Sequence, residues 1–365
     1  MNYFERINKI YSSPAFTGLT ETTQILVPKF NGARKPKNRQ SHSFEVELCS
    51  QALAASLAIP GKVIDYKNSL KVVSLLHDLG HPPFGHDGQK FLNKRMKLEG
   101  LREGFDDNAQ TLEVIKKHRL ILTEYETASL IKYPKKLYGY QKKIYQRMID
   151  DGIKEDFLYF KDSVTFTKER KRTISCDIMD LADEIAYTTS DNEDYYILKM
   201  GDTSFFINEL DSGDYQDEDI VSFLLFVIDA IKKDSKTMIK EAFNKLRFMM
   251  CDNYYLGDDL EIIPKRLNLI KLKEKLYAFE LENFIHSDDM KASRDVYMDI
   301  FNQYINWVFE GNYPSRTYKK LIENSKTKSE KLRMIRDMIS ETTDLYVLEW
   351  FKKQEKEWFF LFLTL

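Results

Sequence analysis

The chain has few of the residues that interrupt helices. Its 365 residues include 14 glycines and 9 prolines, which argues against frequent chain reversals. Cys49, Cys176 and Cys251 are the three cysteines. They are too scattered for a zinc knuckle and odd in number for a disulfide framework, so they read as buried thiols in a reducing compartment. No stretch approaches the roughly 20 apolar residues of a membrane span. The apolar tail Trp358-Phe359-Phe360-Leu361-Phe362-Leu363 is far shorter and is expected to dock on the body or on a neighbouring subunit. The first residues, Met1-Asn2-Tyr3-Phe4-Glu5-Arg6, lack a charged segment followed by an apolar one, so no secretory signal is expected and cytoplasm is the default. A formal charge of −2 supplies no global drive toward nucleic acid or membrane.

Apolar residues make up 43% of the chain and charged ones 31%, enough for a large core in one helical domain or in a core with a companion. Apolar residues recur at helical spacing in most segments, so the chain reads as mainly α. In residues 42–58, Val46, Cys49, Leu53 and Leu57 share one face, with His42 one step earlier on it, and Ile59-Pro60-Gly61 stops the helix. Residues 68–79 are expected to open at Asn68 and turn Leu70, Val73, Leu76 and His77 inward. Pro82-Pro83 and Gly85 then predict an extended loop. Asp106 or Asp107 suits the cap of the next helix, and a further helix is expected over about 173–189. From about 218 onward the pattern stays helical, broken at Gly311-Asn312-Tyr313-Pro314.

What the chain does have is a concentration of histidine. Four of its six histidines fall between His42 and His86. Three lie in His77-Asp78-Leu79-Gly80-His81-Pro82-Pro83-Phe84-Gly85-His86. Imidazole nitrogen beside carboxylate oxygen suits Zn, Mn, Fe or Mg. Asp183 sits between Ala182 and Ile185, where a buried carboxylate needs compensation, and a metal is a common one. His42, His77, Asp78 and Asp183 are therefore the expected metal ligands, brought together by three helices. A lone histidine reads as an ordinary core or surface residue, but this grouping does not. The basic run Arg34-Lys35-Pro36-Lys37-Asn38-Arg39 ends three residues before His42, which favours a polyphosphate nearby. The run Lys168-Glu169-Arg170-Lys171-Arg172 reads as a solvated face.

At these residues the chain resembles the HD-domain superfamily, and within it the deoxynucleoside triphosphate triphosphohydrolases, including bacterial dGTPases. Three motifs carry the likeness: Arg39-Gln40-Ser41-His42-Ser43 with Glu45-Val46; His77-Asp78 through His86; and Ala182-Asp183-Glu184-Ile185-Ala186-Tyr187 with Asp191. Phe105-Asp106-Asp107-Asn108-Ala109-Gln110 is similar to the family's Asn-Ala-Gln stretch. The resemblance implies an HD-domain helical core, residues 1–215, with an additional C-terminal helical region, 216–365, across a soft boundary. It implies His86 acting on the leaving group or nucleophile with His81 on phosphate, and Arg39 on the α-phosphate. Gln24 and Asp191 would meet the 3′-hydroxyl side of the sugar, Tyr187 would pack on its ring, and Asn108 and Gln110 would complete the substrate contacts. It also implies a homo-oligomer, with a second dNTP as allosteric activator.

Two positions depart from the family pattern. The residue three beyond His86 is usually acidic but here is Gln89, with Asp87 or Asp107 as substitutes. Glu113 stands where arginine is common. If the missing carboxylate limits turnover, Gln89→Glu is expected to raise the rate. The expected activity is metal-dependent hydrolysis of a dNTP to deoxynucleoside and triphosphate by water attack at the α-phosphorus. The alternatives are a dNTP-sensing regulatory subunit with weak turnover, and an HD-type nuclease or phosphodiesterase on single-stranded nucleic acid. The base preference is not legible.

Overall fold

The computed structural model describes residues 2–24, 37–58, 63–133, 137, 139–151, 172–257 and 261–354. The chain is mainly α, as expected. The helices that build the site are labelled in chain order: α1 Arg39–Ser56, α2 Val63–Leu76, α3 Gly85–Leu98, α4 Asp107–Lys117, α5 Ile174–Ile197, α6 Lys236–Cys251, α7 Leu267–Glu280, α8 Asp288–Phe309 and α9 Asp344–Gln354. None of the described helices is long and apolar enough to cross a membrane.

Each helix begins or ends for a local reason. Asn38 caps α1, its side chain accepting the Ser41 amide at 2.8 Å, and Val46, Cys49 and Leu53 form the buried face. Asp106 caps α4 in the same way through Ala109. Helix α2 starts at Val63, five residues before the expected cap, so Asn68 lies inside it. A cap residue marks a start only where the preceding chain leaves the helical conformation. Helix α5 runs to Ile197, beyond the expected end near 189. That extension is polar but buried, and two of its side chains bond back to the helix: Thr189 Oγ1 donates to the Ile185 carbonyl at 2.8 Å and Asn192 Nδ2 to Thr188 at 2.8 Å. The break at Gly311–Pro314 separates α8 from the helix Arg316–Glu323. The helical reading of the C-terminal half missed a small antiparallel hairpin, Tyr254–Leu256 against Ile262–Pro264, and a π turn at Leu281–Ile285 between α7 and α8. The stop at Ile59-Pro60-Gly61, residues 34–36 of the first basic run, 168–171 of the second, and the tail 358–363 lie outside the described residues.

Buried apolar side chains form two clusters. The first joins α1, α2, α5, α6 and α7, with α1 packed on α2 and α5, and α6 and α7 on α5. The second joins Phe84 and Leu92 with Phe301 and Tyr304 of α8 and Trp350 of α9. Residues 77–84 cross from one cluster to the other. The extended loop ends earlier than expected: α3 begins at Gly85, so His86 is in its first turn. Phe84 adopts a left-handed conformation (φ 64°), unusual for a residue with a side chain, and is held there by its amide donating to Asp344 Oδ1 at 2.7 Å. The other oxygen of Asp344 accepts the amide and hydroxyl of Thr23, at 2.9 and 2.5 Å. Asp344→Ala is expected to lose about 3 kcal/mol of stability, because it strands the buried Phe84 amide along with the charge-assisted bonds. Urea denaturation with an unchanged slope checks this.

Candidate metal centre and its cavity

Helix α1 opens with Arg39 and His42, the end of α2 delivers His77 and Asp78, and the middle of α5 delivers Asp183. His42 Nε2 lies 3.0 Å from Asp183 Oδ1 and 4.0 Å from Asp78 Oδ2. His77 Nε2 lies 3.4 Å from Asp78 Oδ1 and 3.6 Å from Asp183 Oδ1. Ligand atoms about 2.1 Å from one ion stand roughly 3.0–3.4 Å apart, so these separations are close to those of a shared ion. His77 Nδ1 donates to the Ser74 carbonyl at 2.7 Å, leaving the lone pair of Nε2 buried and without a hydrogen-bond partner. Two imidazoles and two carboxylates with such an orphaned acceptor fit a divalent metal.

Each carboxylate has one oxygen bound by a buried cation. Arg39 Nη1 donates to Asp78 Oδ2 at 2.6 Å, and Lys132 Nζ donates to Asp183 Oδ2 at 2.9 Å while sitting 3.0 Å from Asp180. Burial alone would raise the Asp78 pKa, but His81, His77 and Arg39 outweigh it and hold it well below the usual range. Burial likewise opposes ionisation of Asp183, and Lys132 and His77 overcome it. Desolvation would lower the His77 pKa, yet Asp78 and Asp183 leave it raised.

These groups line a cavity of about 750 Å³. Gln24, His81, His86, Gln89, Asn108, Tyr187 and Asp191 line it too. Gln110 is not among the lining residues; it is fully buried, on the side of Asp337. Glu113 also lies away from the cavity and accepts from Gln141 Nε2 at 3.0 Å. Gly80 lets α4 approach the His77–His81 turn: a Cβ there would meet the Asp107 carbonyl at 2.0 Å. Between the two substitutes left open for the missing acid, Asp87 faces Lys90 and Arg294, whereas Asp107 Oδ1 accepts from Gln89 Nε2 at 2.7 Å. That contact reverses the expectation for Gln89→Glu, which would place two carboxylates against each other.

The HD domain model matches residues 39–188, which contain all four candidate ligands. Over this segment the chain is similar to the HD domain. A deoxyguanosinetriphosphate triphosphohydrolase-like protein of Rickettsia felis is 27% identical to this chain over 95% of it and 90% of the relative. A second protein of that name, from Mesorhizobium japonicum, is 34% identical over 44% of this chain and 39% of its own length. A hypothetical protein of known structure from Aquifex aeolicus aligns at 16% identity with a TM-score of 0.38, covering 94% of this chain and 66% of that one. The domain and its relatives support a metal-dependent HD phosphohydrolase.

Sequence reasoning missed Lys132, which lies outside every recognisable motif, and the wall formed by Tyr277, Glu280, His286 and Arg294 from α7, α8 and the π turn between them. Tyr277 packs against Tyr187 with ring centroids 5.6 Å apart. Burial and mutual repulsion raise the pKa values of Glu280 and Asp191. His77→Ala is expected to drop bound divalent metal from about one per chain to near zero by elemental analysis. Lys132→Met removes the cation on Asp183, while Asp180 keeps Arg172 at 2.8 Å, and is expected to destabilise the metal-free protein by about 3 kcal/mol. Added Mn should recover much of that loss in urea titrations, since the ion replaces the missing positive charge.

Proposed function

We propose that the protein hydrolyses a deoxynucleoside triphosphate to the deoxynucleoside and inorganic triphosphate, by water attack at the α-phosphorus. The observation that carries this reading is the joint lining of one cavity by two kinds of side chain. It is lined by the four-ligand group with Arg39, His81 and His86, and by Tyr187, Tyr277, Asp191 and Glu280. The first set suits a polyphosphate and the second a sugar with a hydroxyl to recognise.

A divalent ion, when bound by His42, His77, Asp78 and Asp183, supplies positive charge for a developing phosphoryl oxyanion and lowers the pKa of nearby water. Arg39 has Nε and Nη2 buried without partners, so two donors remain free for an α-phosphate oxygen after Asp78 takes Nη1. His86 is the group placed to pass a proton to or from the reacting oxygens, and its pKa, held below the ordinary value by desolvation, His81 and Arg39, keeps it neutral at working pH. Gln24 presents a buried, unpartnered carbonyl oxygen that suits a sugar hydroxyl. Tyr187, braced by Tyr277, forms a wall where an extra 2′-hydroxyl would clash.

The relatives' printed names point to the same class of reaction. Incubating the protein with each dNTP and Mg or Mn, with and without a second dNTP as activator, is expected to release tripolyphosphate. Release of only pyrophosphate or orthophosphate would reject the reading. Tight dNTP binding without product would favour a sensing role instead.

A further inference from the structure

We propose that Asp107 is the acidic residue that positions His86, acting through the side-chain amide of Gln89, so that His86 carries its proton on Nδ1 and keeps Nε2 for the reaction. A carboxylate accepts hydrogen bonds and cannot donate them. Gln89 Nε2 lies 2.7 Å from Asp107 Oδ1, so the amide nitrogen must face Asp107 and its oxygen must face away. That oxygen, Oε1, lies 3.3 Å from His86 Nδ1 and can only accept, which places the proton on Nδ1. The second oxygen of Asp107 lies 3.0 Å from His81 Nε2, and the His81 and His86 rings are 5.1 Å apart. One carboxylate from the start of α4 thus reaches His86 through Gln89 and stands beside His81.

Asp107 is itself held. It is 4% exposed, and its Oδ1 also accepts from the amide and side-chain nitrogens of Asn108 at 3.0 and 2.9 Å. The surrounding groups favour its ionised form: burial opposes ionisation, but His81 outweighs it and the pKa falls below the usual range. An ionised Asp107 keeps the amide from flipping. The acid that the local sequence lacks at position 89 is therefore present in the fold, one hydrogen bond further from the ring.

This inference rests on the proposed phosphohydrolase reading only for what His86 does, not for how it is oriented. Nitrogen-labelled histidine in the full chain reports which ring nitrogen holds the proton, with His86→Gln identifying the signals. At mildly alkaline pH the wild-type protein is expected to show His86 protonated on Nδ1. Asp107→Asn frees the amide to turn either way and should give a mixture of tautomers. Adding Gln89→Glu to that variant puts a carboxylate directly at Nδ1 and should restore the single form. With a dNTP, kcat should fall about 100-fold in Asp107→Asn and return to within about tenfold in the double variant. A wild-type His86 protonated on Nε2 overturns the proposal even if no variant folds. So does an unchanged Nδ1–H form in both Asp107→Asn and Asp107→Ala. Absence of dNTP turnover with the tautomer pattern intact counts against the substrate and leaves the positioning role supported.

Discussion

Two buried carboxylates, each with one oxygen tied to a cation and the other turned toward histidine, set the terms for the rest of the site. Asp78 is tied by Arg39 and Asp183 by Lys132. Burying an unpaired carboxylate is strongly unfavourable, so the two cations allow negative charge to persist where water is scarce. They also leave the remaining oxygens pointed at His42, His77 and His81. The arrangement retains negative charge and lone pairs, which is the condition under which a divalent ion binds.

Holding that geometry takes more than the helices that carry the ligands. Helices α1, α2 and α5 rest on one apolar cluster, while the loop with His81 and the first turn of α3 with His86 lean on the other. The cavity lies where the two meet. Asp344 fastens this junction from the last described helix by gripping both Thr23 and Phe84, so a residue far along the chain supports the turn that presents His86. The buried polar stretch of α5 has a similar effect. Its hydrogen-bonded threonine and asparagine side chains let Asp191 face the cavity from inside the protein, opposite Glu280 of α7.

Much of the site was readable because its residues lie in short motifs on strongly periodic helices. The steps from His42 to Val46, Cys49 and Leu53 fixed which way His42 points, and the apolar approach to His77 did the same for the His-Asp pair. Helix ends were less legible. Asn68 and Ser190-Asp191-Asn192 look like boundaries locally, but the chain continues helical through both. Side chains satisfied by tertiary neighbours send no local signal of that. Lys132 and Glu280 were invisible for the same reason, since an isolated lysine or glutamate in a charged sequence gives no hint that it is buried.

The sequence alone determined the helical character, the histidine and aspartate set, and the likeness of the motifs to the HD domain, because periodicity and motif spacing are properties of neighbours along the chain. Only the tertiary structure decided which cation neutralises which carboxylate, that Gln110 and Glu113 stand apart from the cavity, and that the acid missing beside His86 arrives from α4 as Asp107. Charge pairing and hydrogen-bond direction depend on separations of a few ångströms between residues distant in sequence, and those separations exist only once the helices have packed.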